Sequence, residues 1–314
     1  MNSIILAKSK LPIDFLDELN VEFSTKMQEK ILNGICEKRF TTLRINKLKI
    51  SEQEVSNILN ENGIEFEVLD LNGTSAYIIK NKNEKDLQKL NIYQEGKIYL
   101  QSISSMIPPI VLNPMPDEKV LDLTAAPGSK TTQMASMMEN KGEILANEID
   151  KIRFERLKYN LKMQGITIAE AINEDGIKIG NQYPEQFDKV LIDAPCSGEG
   201  RFILSEKATY EKWSLKMVRE LSKLQKQLLE SAAKACKKGG EIVYSTCTLN
   251  KEEDEKIVDY AVKKLNLEAV DINLKLKNTI KGNSKGVDKS VEKTMKIIPS
   301  SQTEGFYIAK FLKK

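Results

Sequence analysis

Apolar positions keep one kind of pattern up to residue 95 and another after it. In the first stretch the spacing is mixed. Phe15, Leu16 and Leu19 recur at helical intervals within residues 12–32, and Thr41 to Ile50 alternates as a strand does. Glu52 to Asn62 returns to helical spacing through Val55, Ile58 and Leu59, and Asn72-Gly73 marks a turn before Ala76-Tyr77-Ile78-Ile79. Pro108-Pro109 and Pro114-Met115-Pro116 punctuate the junction between the two stretches. From Lys119 onward short apolar runs at residues 120–123, 144–146, 168–171, 189–192 and 241–244 alternate with amphipathic stretches, which predicts a parallel α/β sheet. The helix after Trp213 carries Leu215, Val218, Leu221, Leu224 and Leu228 on one face, and Lys237-Lys238-Gly239-Gly240 supplies the basic and glycine residues expected at its end. Residues 272–296, rich in Asn, Gly, Ser and Lys, read as a poorly ordered insertion, and Gly305 to Phe311 as a final strand. The expectation is an α+β module over residues 1–95 and an α/β domain over residues 96–314, with no internal repeat.

Composition narrows the chemistry. The 314 residues, 30% charged and 40% hydrophobic, are those of a soluble globular protein with room for one large domain and one small. No apolar run approaches the ~18 residues of a membrane span. The opening Met1 to Lys8 has too short an apolar stretch for a secretory leader, so a cytoplasmic protein is expected. There is no histidine, which removes Ser-His and Cys-His dyads and leaves Asp, Glu, Lys, Tyr or Cys as acid or base. Cys36, Cys196, Cys236 and Cys247 lack CxxC spacing, which argues against a metal site and for free thiols in a reducing compartment. Net charge is +3, yet residues 261–314 hold 12 basic and 5 acidic side chains. That excess suits contact with a polyanion such as RNA, although a lysine-rich solvated loop is the plainer reading of charge alone.

Residues 120–132 run from strand through a sharp turn into a helix start. Within the turn Ala125-Ala126-Pro127-Gly128-Ser129, Pro127 and Gly128 let the backbone pass close to a ligand while the new helix offers free N–H groups. The pattern is neither GxxxxGK[ST] nor GxGxxG, so a phosphate loop is disfavoured and a merely structural turn stays open. Glu148, at the tip of the second strand, can accept both hydroxyls of a ribose, and Asp175, after the third, can accept from an adenine amino group. Each acid alone reads as an ordinary loop carboxylate. Three successive strands ending in suitable groups favour an adenosyl ligand. Asp193-Ala194-Pro195-Cys196-Ser197-Gly198 and Ser245-Thr246-Cys247-Thr248 each place a thiol just after a strand. If those strands are neighbours, both sulfurs reach one cleft, which suits chemistry that adds a sulfur to a pyrimidine ring and later removes it. A thiol with the ordinary pKa of ~8.5 needs a local device to become a nucleophile. Cys36 and Cys236, on apparent helices, fit a buried structural role.

These motifs resemble the Fmu/Sun family of RNA cytosine-5 methyltransferases. The resemblance also rests on Leu43-Arg44-Ile45-Asn46-Lys47-Leu48-Lys49, Gln101-Ser102-Ile103-Ser104-Ser105-Met106, Glu199-Gly200 and Gly305-Phe306-Tyr307, and covers most of the chain. It implies a Rossmann-like class I methyltransferase fold, α/β with a mostly parallel seven-stranded sheet, preceded by a small α+β RNA-binding domain. It implies S-adenosylmethionine as cofactor, held by Ala125, Ala126, Pro127, Gly128, Ser129, Lys130, Glu148, Arg153, Asp175 and Asp193. Cys247 would attack carbon 6 of cytosine, and Cys196 would assist loss of the carbon-5 proton and release of the product. Asp193 would hold the protonated ring nitrogen, with Lys130 beside it. The base must leave its stack to expose both faces. Two positions depart from the family pattern and bear on RNA contacts: Ile203-Leu204 after Arg201-Phe202, and Ser300 after Pro299. Small-subunit (16S) ribosomal RNA is the implied substrate. Transfer RNA is the alternative, because the chain stops soon after its last strand. An assembling ribosomal subunit is a further implied partner, and nothing requires more than a monomer. A noncatalytic RNA-binding assembly factor would not need both thiols, and a DNA cytosine methyltransferase would lack the Thr-Cys motif.

Overall fold

Asn72 and Gly73 both adopt positive φ, 53° and 87°, the backbone that a tight hairpin requires. They join two strands of a four-stranded antiparallel sheet in the computed structural model, which describes residues 3–314. Met1 and Asn2, part of the opening run read for a leader, lie outside the described residues. The sheet comprises β1 (Thr41–Ile45), β2 (Phe66–Leu71), β3 (Thr74–Ile79) and β4 (Ile98–Leu100) in the order β2-β3-β1-β4. β4 lies past residue 95. The helices Ile13–Glu22 and Thr25–Cys36 do not pack on this sheet. They bury Phe15, Leu19, Ile31 and Ile35 in one cluster with Phe202 and Trp213, the Phe15 and Phe202 ring centroids being 5.0 Å apart.

The larger sheet has nine strands: β5 (Lys119–Asp122), β6 (Glu143–Asn147), β7 (Ala169–Ile172), β8 (Phe187–Asp193), β9 (Cys236–Thr246), β10 (Leu267–Val270), β11 (Thr279–Lys281), β12 (Met295–Ile297) and β13 (Phe306–Lys313). β7-β6-β5-β8-β9 run parallel, and β13 pairs antiparallel with β9. The far edge of β13 is shared, since residues 306–308 take β12 and residues 310–313 take β10. This is the expected mostly parallel α/β fold, with the β11–β12 hairpin added to the expected seven strands.

Three local expectations are corrected. Residues 272–296 are not a loose insertion: Val291, Thr294 and Lys296 are buried, and the segment builds β11 and most of β12. Its polar composition concealed a packed edge. The long helix ends at Ala235 rather than at the glycines, because the N–H groups of Glu185 and Gln186 take the Lys234 and Ala235 carbonyls (both 2.9 Å). Cys236 therefore opens β9 opposite Phe187 and is not helical. Pro108 and Pro109 lie inside the helix Ile103–Leu112 instead of marking a junction. Gln101 Nε2 donates to the Ser105 carbonyl (3.1 Å), replacing the N–H that Pro109 lacks.

Arg44 fastens the small sheet to the helix Ser129–Met137 of the larger domain. Its side chain is fully buried; Nε donates to Gln101 Oε1 (2.7 Å), and one terminal nitrogen donates to the Ser129 carbonyl (3.0 Å) and Thr132 Oγ1 (2.6 Å). Asn46 adds bonds to the Gly96 and Gln164 carbonyls. The Arg-Ile-Asn run is thus a docking element rather than an RNA-facing one. Burial pulls the Arg44 pKa down to about 10. Arg44→Lys cannot reproduce the fork, and each charged hydrogen bond is worth about 1.5–3 kcal/mol. The variant is expected to lose about 2–3 kcal/mol of stability in urea unfolding, and unchanged unfolding would remove the docking role.

Candidate active site

Asp193 at the end of β8 and Ser245 near the end of β9 are direct register partners, so the residues after them leave the sheet side by side. That register brings the two thiols together. Cys196 Sγ and Cys247 Sγ lie 3.1 Å apart, and the Cys247 N–H donates to Cys196 Sγ at 3.2 Å. Both cysteines are free and partly exposed to the same cavity of about 1240 Å³. The side-chain hydrogen bond from the Cys196 thiol to the Cys247 sulfur, burial and the charge of Cys247 push the Cys196 thiol well above its ordinary pKa.

Beside the thiols, Lys130 Nζ contacts Asp193 Oδ2 at 2.6 Å and donates to Ser105 Oγ at 2.8 Å. Ser245 Oγ donates to Asp193 Oδ1 at 2.8 Å, so both carboxylate oxygens are oriented. The loop after Cys196 is fixed by a backbone crossing. Gly200 N–H donates to the Cys247 carbonyl (3.0 Å) and Gly305 N–H to the Gly200 carbonyl (2.9 Å). A Cβ on Gly200 would stand 1.9 Å from the Gly305 oxygen, so only glycine allows the approach. Arg39, from the chain leading into β1, donates to the Gly200 (2.9 Å), Arg201 (3.3 Å) and Phe202 (3.2 Å) carbonyls.

The predicted cofactor residues line the same cavity, Lys130 and Asp193 beside the thiols, except Gly128, which turns the chain at φ 102°. Glu148 is nearly buried at the tip of β6; its Oε1 accepts from the Asp150 N–H (2.9 Å), and its Oε2 is 3.5 Å from Arg153. Arg153 also donates to the Ala126 carbonyl (2.6 Å), tying helix Lys151–Gln164 to the turn. Asp175 caps the helix Gly176–Gln182 and faces the cavity. Burial raises the Asp122 carboxyl to about 7, with one oxygen taking the Thr131 hydroxyl (2.7 Å). Two nearly buried acids at strand tips and the free N–H groups of a helix start suit the hydroxyls, amine and carboxylate of an amino-acid nucleoside. A single small-molecule site is commonly ~300–1,000 Å³, so this cavity has room for a cofactor and a base together.

Comparison with known proteins agrees. The family model described as 16S rRNA methyltransferase RsmB/F matches residues 109–312. The tRNA (cytosine(49)-C(5))-methyltransferase of Pyrococcus abyssi is 40% identical over 87% of this chain and 88% of its own length. The chain belongs to the RsmB/F family. It is therefore an RNA cytosine-5 methyltransferase that uses S-adenosylmethionine. Ribosomal RNA small subunit methyltransferase F of Vibrio atlanticus is 34% identical over 96% of the chain, which spans 64% of that relative. Among solved structures, a methyltransferase homologue from Pyrococcus horikoshii superposes with TM-score 0.79 at 28% identity, over 97% of this chain and 100% of the other.

Among RsmB/F features, the residues read from sequence came together, and several that matter were missed. Ser105 and Ser245 sit inside the motifs quoted for the resemblance yet carried no assigned role. Glu253 and Asp254 lie in the acidic run 252–255, which looks like a solvated surface but is fully buried at those two positions. The clue was its place, with only three residues between it and the Thr-Cys motif.

Proposed function

We propose that Cys247 and Cys196 divide the methylation of a cytosine in RNA between them, and that the RNA is small-subunit ribosomal RNA. The observation that carries the thiol roles is their 3.1 Å separation beside the oriented Lys130–Asp193 pair. The Cys247 thiolate attacks carbon 6 of the flipped base, and the ring electron pair moves toward carbon 5. Asp193, held by Lys130 and Ser245, accepts from the protonated ring nitrogen and stabilises the adduct. S-adenosylmethionine supplies the methyl group that carbon 5 takes. With Cys247 bonded to carbon, its charge and hydrogen bond no longer hold the proton of Cys196. Cys196 then loses its own proton to solvent in the open cavity and, as a thiolate, accepts the carbon-5 proton, and the electrons of that bond restore the ring double bond as Cys247 leaves as thiolate.

The family description and the small-subunit relatives favour ribosomal RNA. The Pyrococcus abyssi relative, matched over nearly all its length, favours transfer RNA as the second reading. The test supplies labelled S-adenosylmethionine with unmodified 16S RNA, small ribosomal subunits and transfer RNA, followed by base-resolution mapping. Label at one cytosine of the small-subunit RNA is expected. Label confined to transfer RNA would transfer the substrate to the second reading, and label in none of them would overturn the proposal.

A further inference from the structure

We propose that Glu253 is the positioning residue that sets the two thiols against each other, an inference resting on the thiol roles above. Its carboxylate is fully buried behind the cysteines. Oε1 accepts the Ser197 N–H and Gln225 Nε2 (both 2.9 Å), and Oε2 accepts the Ser197 hydroxyl. Ser197 follows Cys196 directly. Because the Ser197 proton goes to Glu253, the 2.9 Å contact between Ser197 Oγ and Thr248 Oγ1 is donated by Thr248. Thr248 follows Cys247 directly. One carboxylate thus grips the residue after each thiol, directly on one side and through a single hydroxyl on the other. Gln225, from the long helix Leu215–Ala235, also donates to the Pro195 carbonyl (2.9 Å), holding the residue before Cys196. Ser197 and Gln225 both donate to Glu253, and Thr248 is held through Ser197, so losing the carboxylate unties both loops at once.

A displacement on the scale of 1 Å at reacting atoms costs about 100-fold in rate. The test compares wild type with Glu253→Ala, Glu253→Gln and Thr248→Val, each checked by thermal melting. Alignment is read without RNA or cofactor by treating the protein with diamide. Its N=N bond takes two electrons and two protons from the thiols as the Cys196–Cys247 disulfide forms, and peptide mass mapping times the closure. Single-turnover methylation and KM for RNA are measured in parallel. Glu253→Ala is expected to slow disulfide closure at least tenfold and methyl transfer about 100-fold, with KM within threefold of wild type. Glu253→Gln, which retains one carbonyl acceptor, should recover to within tenfold of wild type. If Glu253→Ala does not fold, Thr248→Val decides, since it cuts only the Cys247 side and should slow both rates in a protein that still melts cooperatively. Wild-type closure and methylation rates in Glu253→Ala, or in Thr248→Val where the alanine variant is unfolded, would overturn the proposal. Slowed closure in a protein whose wild type labels no RNA would leave the positioning intact and remove the reaction.

Discussion

Cys247→Ala is expected to abolish methyl transfer, by ~10,000-fold or more, while Cys196→Ala stops part-way with RNA bound covalently to the protein. The asymmetry arises from where each sulfur sits in the sequence of bond changes. Without Cys247 no electron pair reaches carbon 5, and the remaining groups around the base offer hydrogen bonds and charge but no nucleophile. Without Cys196 the attack and the methyl transfer still proceed. The carbon-5 proton then lacks its base, and Cys247 cannot leave. Denaturing gel electrophoresis with labelled RNA reads the difference: a shifted, denaturation-resistant band for Cys196→Ala and none for Cys247→Ala. Both side chains are small and partly exposed, so neither replacement should cost more than about 1 kcal/mol of stability. A covalent band from Cys247→Ala in place of Cys196→Ala would reverse the two roles. Full activity in either variant would remove that thiol from the reaction.

The convergence of the two thiols was legible in the chain itself, because apolar runs at residues 189–192 and 241–244 could be read as neighbouring parallel strands, and β8 and β9 are adjacent. The glycine turn at Gly128 and the acidic tip at Glu148 were legible for the same reason: strand ends are marked where hydrophobicity stops. What the sequence hid was polar burial. Arg44, Glu253 and Lys296 are charged side chains in the interior, and local pattern assigns such residues to the surface because few are buried unless paired. Their partners lie far along the chain, Arg44 with Thr132 and Lys296 with Asp254, so no window of sequence contains the pair. The same blindness made residues 272–296 look unstructured, although the lysine that composition counted as solvated is the buried cation of that segment.

Replacing that lysine is expected to produce the largest stability loss of any single substitution proposed for this protein. Lys296 Nζ lies 3.0 Å from Glu255 and 3.3 Å from Asp254, donates to the Leu249 carbonyl (2.9 Å), and faces the Phe23 and Tyr307 rings. All three charged groups are buried. Lys296→Met fills a similar volume but leaves two buried carboxylates without their cation, a loss of about 3–5 kcal/mol near pH 7. The pH dependence identifies the cause. Burial lowers the Lys296 pKa, but Glu255 and Asp254 outweigh it and the net shift is upward. The stabilisation tied to its own titration is therefore fully present below the ordinary lysine value of ~10.4 and adds no pH dependence between pH 5 and 8. Burial holds the Asp254 carboxyl well above its ordinary value while Lys296 pulls it down, so removing the lysine raises it further. A raised carboxyl pKa means that the folded state keeps a proton the unfolded chain releases, so stability falls as pH rises above ~3.9 toward the folded value. The deficit of Lys296→Met in urea unfolding should thus be smallest near pH 5 and widen toward pH 8. Adding Asp254→Asn and Glu255→Gln to the same chain should recover most of the loss at pH 7 and flatten its pH dependence. A deficit that stays constant with pH, or that the two neutral substitutions do not relieve, would assign the loss to packing against Phe23 and Tyr307 instead of to charge.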